Sequence, residues 1–187
     1  FVFQDAVLFP WRSVIRNVQL PMEINQRMDK KISREKAMGL LKLVGLTGFE
    51  EASPAQLSGG MRHRVALARA LMTSPPIIFM DEPFAALDEI TRDRMNLELL
   101  RIWSETKSSV VFVTHSIEEA VFLSDRVIVL STRPGEVVAD VKIEMPRPRK
   151  LELKQSEDSF AYSNHIRKLL ARVTQKAAEQ LGMNNLP

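Results

Sequence analysis

The stretch "PIIFMDEPFAALDE" begins at Pro76. It runs four apolar residues, Ile77 to Met80, into two adjacent carboxylates, Asp81 and Glu82. Pro83 stops the run, and a third carboxylate, Asp88, follows. Two acids side by side at the mouth of a buried strand repel each other, and a cation or a catalytic task would justify the pair. On a chemical reading Asp81 holds Mg2+, a hard cation that takes oxygen ligands, and Glu82 polarises an attacking water. On a plain reading both are solvated acids at a strand end. "LSGGM", Leu57 to Met61, sets Ser58, Gly59 and Gly60 at a helix start. Free N–H groups and the positive dipole end make such a place an anion site, and glycines let a phosphate come close to the backbone. A serine cap followed by flexible glycines would look the same. His115 ends a second apolar run; a histidine so placed is more often structural than catalytic when taken alone, and Gln4 alone is uninformative.

These residues need elements to position them. Ile77–Met80 is all apolar, the pattern of a central parallel strand covered on both faces. Val110–Val113 reads as a second buried strand and Arg126–Leu130 as a third. Strands alternating with helices predict an α/β fold with a mainly parallel sheet. Its ligands belong beyond the carboxyl ends of the strands, where Asp81, Glu82 and His115 stand. Among the helices, Ser33 is expected to cap one over Arg34–Val44, closed by Gly45. Ser58 opens another over about Met61–Met72, ended by Ser74-Pro75-Pro76. Asp88 caps a long helix to about Glu105, and Ser116 with Glu119 makes a capping box for a helix through Leu123.

Arg133-Pro134-Gly135 reads as a type II turn. Beyond it Val137, Ala139, Val141, Ile143 and Met145 alternate with polar residues, marking a half-exposed edge strand. Pro146 to Asp158 reads as a polar linker, its Arg147-Pro148-Arg149-Lys150 cluster solvated rather than phosphate-binding. Ile166, Leu169, Leu170, Val173, Ala177 and Leu181 give a final amphipathic helix. Phe9-Pro10-Trp11 forms a loop. Phe1-Val2-Phe3 reads as the end of a buried strand with nothing before it, so the sequence is expected to start inside a domain.

At 187 residues the chain is long enough for one real core. A net charge of +3 gives no argument for nucleic acid. With no cysteine there is no disulfide framework and no thiolate metal site. No apolar run approaches the roughly 20 residues that span a bilayer, and no signal peptide is visible.

Taken together and in order, the motifs resemble those of the nucleotide-binding subunit of an ABC transporter. Gln4 matches the Q-loop, Leu57-Ser58-Gly59-Gly60-Met61 the signature motif, and Ile77 to Glu82 the Walker B strand. Ala86-Leu87-Asp88 matches the D-loop and His115 the switch histidine. The resemblance implies a P-loop NTPase fold of the ABC ATPase type, with ATP and Mg2+ as ligands. It implies that Glu82 is the general base, Asp81 the Mg2+ partner and His115 a contact to the γ-phosphate. Gln4 would touch metal and water and sense the membrane subunit. Ser58, Gly59 and Gly60 would close over an ATP held by a second such subunit, with Asp88 at that dimer interface. Met61 and His63 stand where glutamine is frequent in the family.

The phosphate-cradling pattern G-x-x-x-x-G-K-[ST] is nowhere in the sequence. The family places it, with an adenine-stacking aromatic, ahead of the Q-loop. Residues 1–145 are thus expected to be an ABC ATPase domain lacking its N-terminal part, with a helical subdomain over about 10–75. Residues 146–187 are the linker and terminal helix. "LFPWRSVIRNVQLP" and "LSTRPGEVVADVKIEMPRPR" resemble importers of nitrate, sulfonates, taurine or bicarbonate. The implied partners are permease subunits, a second ATP-binding subunit and, indirectly, a substrate-binding protein, at the cytoplasmic face of the inner membrane. Two alternatives stand beside this reading: a truncated, non-catalytic module that docks on a partner, and a soluble ABC ATPase of DNA repair or translation. The latter usually carries coiled-coil insertions or a second cassette, and neither is seen.

Overall fold

Val2 sets the first register. In the computed structural model, which describes residues 1–25, 29–106, 108–132 and 135–180, its N–H donates to the Phe79 carbonyl at 2.8 Å. Its own carbonyl accepts from the Asp81 N–H at 2.9 Å. This bridge to Met80 is parallel. The strand it joins, β1 (Ile77–Asp81), pairs in parallel with β2 (Ser109–Val113), Met80 facing Phe112 and Asp81 facing Val113. Three chain segments therefore run side by side in one direction, with β1 in the middle.

The described chain forms two compact units, Phe1–His115 and the residues from Ser116 onward. In the first, α1 (Val14–Asn25), α2 (Lys30–Leu43) and α3 (Gly59–Leu71) pack on one another. α1 buries Val14, Ile15, Val18 and Met22, a helical stripe. Pro21 sits inside it and hid it from the sequence reading, because proline usually breaks a helix. α2 starts earlier than Ser33 allows: Asp29 is its cap, accepting from Lys31 N–H at 2.8 Å. Ser33 is instead buried in the second turn, 3.2 Å from Gln19 Nε2. Both residues are good caps; the difference is that Ser33 is taken up by α1. Gly45 closes α2 at φ +68, a left-handed geometry that favours glycine.

Ser58 caps α3 as its type predicts, accepting from Met61 N–H at 3.2 Å. Asp88 caps α4 (Glu89–Thr106), accepting from Thr91 N–H at 3.0 Å. The sheet departs from expectation. β1 alternates, with Ile78 and Met80 buried but Ile77 and Phe79 half exposed. Phe1, Phe3, Val111 and Val113 are exposed too. An all-apolar strand can be covered on both faces; here one face is open.

In the second unit, Ser116 caps α5 (Ile117–Leu123), accepting from Glu119 N–H at 3.2 Å. β3 (Arg126–Leu130) pairs antiparallel with β4 (Val137–Lys142). Val121, Val127, Val129, Ile143, Met145 and Ile166 form its core, so the alternation through Met145 does mark an inner face. The 146–158 stretch is not a solvated linker. Arg149 is buried, and its guanidinium donates to the carbonyls of Val121, Phe122 and Ser124 at 3.2, 2.9 and 2.8 Å. It closes the C-terminal end of α5, where orphan carbonyls and the negative dipole end want a cation. A turn of 3-10 helix, Leu151–Gln155, leads into α6 (Glu157–Gln180). That helix starts well before Ile166, and Ser156 Oγ accepts from Ser159 N–H at 3.2 Å beside its first turn. The expected turn at Arg133-Pro134 and the residue Leu181 lie outside the described residues. Among the described residues no helix is long and apolar enough to cross a membrane.

Candidate functional site

Parallel pairing gathers the chemistry. Val2, Met80 and Phe112 lie in one register. Two residues beyond them come Gln4, Glu82 and Thr114, so Gln4, Asp81–Glu82 and His115 leave the same edge of the sheet. This is the carboxyl edge, where open α/β sheets bind ligands. Residues far apart in sequence thus meet at one rim.

Glu82 and His115 are paired. Glu82 Oε1 lies 2.6 Å from His115 Nε2. The carboxylate is mostly covered, at 17% exposure, while the imidazole is 84% exposed. Glu82 is held at both ends of its peptide: its N–H donates to Val113 O at 3.0 Å and its carbonyl accepts from Ala85 N–H at 3.1 Å. Its φ is +43, a region that costs a residue with a Cβ. The sharp turn after the strand forces this geometry, and Phe84 pins the turn by burying its ring 5.9 Å from that of Phe112.

Asp81 ends β1 and is exposed; Gln4 lies in an exposed bend. Among the described residues no group of three or more His, Asp and Glu gathers as a metal cage. Asp81 and the Gln4 amide offer hard oxygens at an open rim. That suits Mg2+, which keeps several waters and is completed by substrate phosphates.

Ser58, Gly59 and Gly60 form the first turn of α3, beside the rim rather than on it. A Cβ on Gly60 would meet Thr91 Cγ2 at 3.6 Å, and one on Gly59 only Arg62 Nη2 at 3.9 Å. Both are ordinary contacts, and neither glycine has a left-handed backbone. The chain's own packing does not require glycine here. What glycine provides is open access to the N–H groups at the helix start. Asp88 stands beside them through Thr91, which touches the Gly60 position and donates to Asp88. Hydrogen bonds from Thr91 hold the exposed Asp88 carboxyl below the usual range.

Sequence reasoning missed His63. It is buried at 8% exposure. Its Nδ1 lies 3.0 Å from the Gly59 carbonyl and its Nε2 2.9 Å from the Gln4 carbonyl. The ring lies between the Ser58–Gly60 turn and the main chain of Gln4, and the tautomer decides which of the two carbonyls its N–H meets. Its spacing of four from Gly59 is a helical signal, but nothing local points to Gln4. Asn17 was missed as well; it grips the Phe9–Ser13 loop through Phe9 N–H and the carbonyls of Phe9, Arg12 and Ser13.

Residues 1–85 match the ABC transporter family model. The chain is 53% identical over 148 residues to an uncharacterized ABC transporter ATP-binding protein of Methanocaldococcus jannaschii, covering 79% of this chain and 55% of that one. It is 50% identical over 146 residues to the taurine import ATP-binding protein of Rhizobium johnstonii, covering 78% and 55%. With the nitrate import ATP-binding protein of Synechocystis it shares 43% identity over 175 residues, covering 90% and 65%. A solved structure described as the dimeric post-hydrolysis state of an ATP-binding cassette bound to ADP and Pi matches with TM-score 0.65 and 38% identity, covering 78% of this chain and 63% of that one. The chain thus spans a little over half the length of the first two relatives. The chain belongs to the ATP-binding subunits of ABC transporters, in the subgroup that includes the taurine, nitrate and sulfonate import proteins.

Proposed function

We propose that this chain is the catalytic part of an ATP-hydrolysing subunit that drives import of a small anion such as nitrate, taurine or a sulfonate. The observation that carries the reading is the Glu82–His115 pair at 2.6 Å on the rim shared with Asp81 and Gln4. Glu82 accepts a proton from a water as that water attacks the γ-phosphorus of ATP. The products are ADP and phosphate. His115, exposed and hydrogen-bonded to Glu82, orients that carboxylate and offers its edge to the γ-phosphate. Asp81 and Gln4 would hold Mg2+, which would offset charge on the phosphate oxygens when bound.

Ser58, Gly59 and Gly60 present open N–H groups to an ATP held by a second subunit, with Asp88 beside them. The reading gives residues 1–145 the ATPase work, with the helices over about 10–75 facing permease subunits at the cytoplasmic side of the inner membrane. Residues 146–187 follow it, and a substrate-binding protein delivers cargo from the far side.

The phosphate loop that ATP binding requires is not in this sequence. The test is therefore made in a cassette completed with the phosphate-loop segment of a curated relative. Glu82→Gln keeps the side chain's shape and removes the base. ATP binding should persist while hydrolysis falls about a thousandfold. Turnover within about tenfold of the parent would reject the role of Glu82.

A second reading rests on the absence of the phosphate-loop pattern from this sequence. The chain would then be a docking module without turnover. A completed cassette that binds ATP and never hydrolyses it would favour this reading.

A further inference from the structure

We propose that His63 and Arg69 are positioning residues that hold the main chain of Gln4–Val7 on α3, so that Gln4 and the Ser58–Gly60 turn move as one body. The proposal rests on the catalytic reading given above.

Val2 is fixed by β1 and Phe9 by Asn17. Between them, among the described residues, the main chain of Phe3–Leu8 is reached by two polar side chains, both from α3; the Arg69 contact is a hydrogen bond, and the His63 contact is one in the tautomer that carries its proton on Nε2. His63 Nε2 lies 2.9 Å from the Gln4 carbonyl, and Arg69 Nη1 donates to the Val7 carbonyl at 2.8 Å. His63 and Arg69 stand six residues apart on α3, a rise of about 9 Å, and the segment they reach bends at Gln4 and Asp5. It is held to the helix at two points.

The opposite edge of the His63 ring sits on the Gly59 carbonyl at 3.0 Å. The ring is thus wedged between the first turn of α3 and the backbone of Gln4. Burial pushes the Arg69 guanidinium pKa down, so this cation bears a desolvation cost to reach the Val7 carbonyl. The Gln4 side chain itself stays exposed at the rim. A displacement of the Gln4 main chain would press on the ring, whose other edge packs on the Gly59 carbonyl. Gly59 belongs to the surface that faces a different ATP, so each nucleotide site reports to the other through its own subunit.

The chain has no cysteine, which allows clean labelling. Nitroxides go on Asp5→Cys and Glu35→Cys, both exposed positions, in residues 1–187 without nucleotide. The parent distance distribution should be narrow. His63→Ala and Arg69→Met should each broaden it about twofold, and His63→Gln, which keeps a donor, should narrow it again. Unchanged widths in both variants would overturn the tie.

In the completed cassette His63→Ala should lower kcat about tenfold with the ATP KM within about twofold, and His63→Gln should recover most of it. A rise in KM with kcat unchanged would overturn the positioning role. A parent cassette with no ATP turnover would defeat the catalytic reading instead, and the labelled chain would still decide the tie.

Discussion

Asp88 shows how one exposed carboxylate can serve two tasks. Its hydrogen bonds with Thr91 depress its pKa, so the folded state favours the charged form. The sign follows from linkage: the contribution is present above the unfolded carboxyl value of about 3.9 and is lost as pH falls through the lowered native value. Asp88→Asn keeps an acceptor for the cap and removes the titration. The parent should therefore melt higher than Asp88→Asn near neutral pH, and the gap should close in acid. Thermal unfolding followed across the acid range checks this; a gap independent of pH would contradict it. The charge also stands beside the Gly60 turn, so on the proposed function the cap that starts α4 would also shape the face offered to a second subunit.

At the scale of elements, α5 is a seven-residue helix, too short to be stable alone. Arg149 supplies what it lacks. Three of the carbonyls at its C-terminal end, Val121, Phe122 and Ser124, are satisfied by one buried guanidinium. Arg149→Met keeps the stem and strands those acceptors, which should cost about 2–4 kcal/mol. Arg149→Lys should recover only part, because an ammonium cannot fork across several carbonyls. Denaturant unfolding would measure both, and a loss below about 0.5 kcal/mol in Arg149→Met would refute the clamp.

The same contrast explains what the sequence discloses. Caps such as Ser58, Asp88 and Ser116 act three residues away, so their types and spacing nearly suffice. The strand runs were legible for the same reason. Arg149 acts on residues 25 to 28 positions earlier, and His63 on one 59 positions earlier. No local pattern encodes those pairs. Ser33 misled because tertiary packing took the hydroxyl that a cap would have used. The covering of β1 was misjudged because an apolar run states what a strand can bury, not what is there to bury it. Of the rim, Asp81, Glu82 and His115 were legible as strand ends; the link from the signature turn to Gln4 was not.

For the whole molecule, the catalytic groups and the phosphate loop are expected to come from different segments. Residues 1–187 alone should bind Mg-ATP weakly or not at all, and micromolar affinity in a calorimetric titration would contradict this. The chain should nevertheless lend its Ser58–Gly60 face to a complete, hydrolysis-dead partner. That pairing should require ATP, because the γ-phosphate carries the charge that the helix start attracts. Ser58→Arg should block it. Light scattering of the mixture with and without ATP tests the idea, and association that ignores ATP, or survives Ser58→Arg, would sink it.

Glu82 sits at φ +43, where a side chain other than Asn or Gly is under conformational tension. Its partner His115 is mostly in water, and a contact to so exposed a group returns little. On the proposed function, the carboxylate that serves as base is thus kept where the polypeptide would be better off without it. Glu82→Asn should end hydrolysis in the completed cassette and still raise the melting temperature by a few degrees, the equivalent of about 1 kcal/mol. Activity and durability are set against each other at this single position, and a lineage released from turnover would be free to drift toward the sturdier residue.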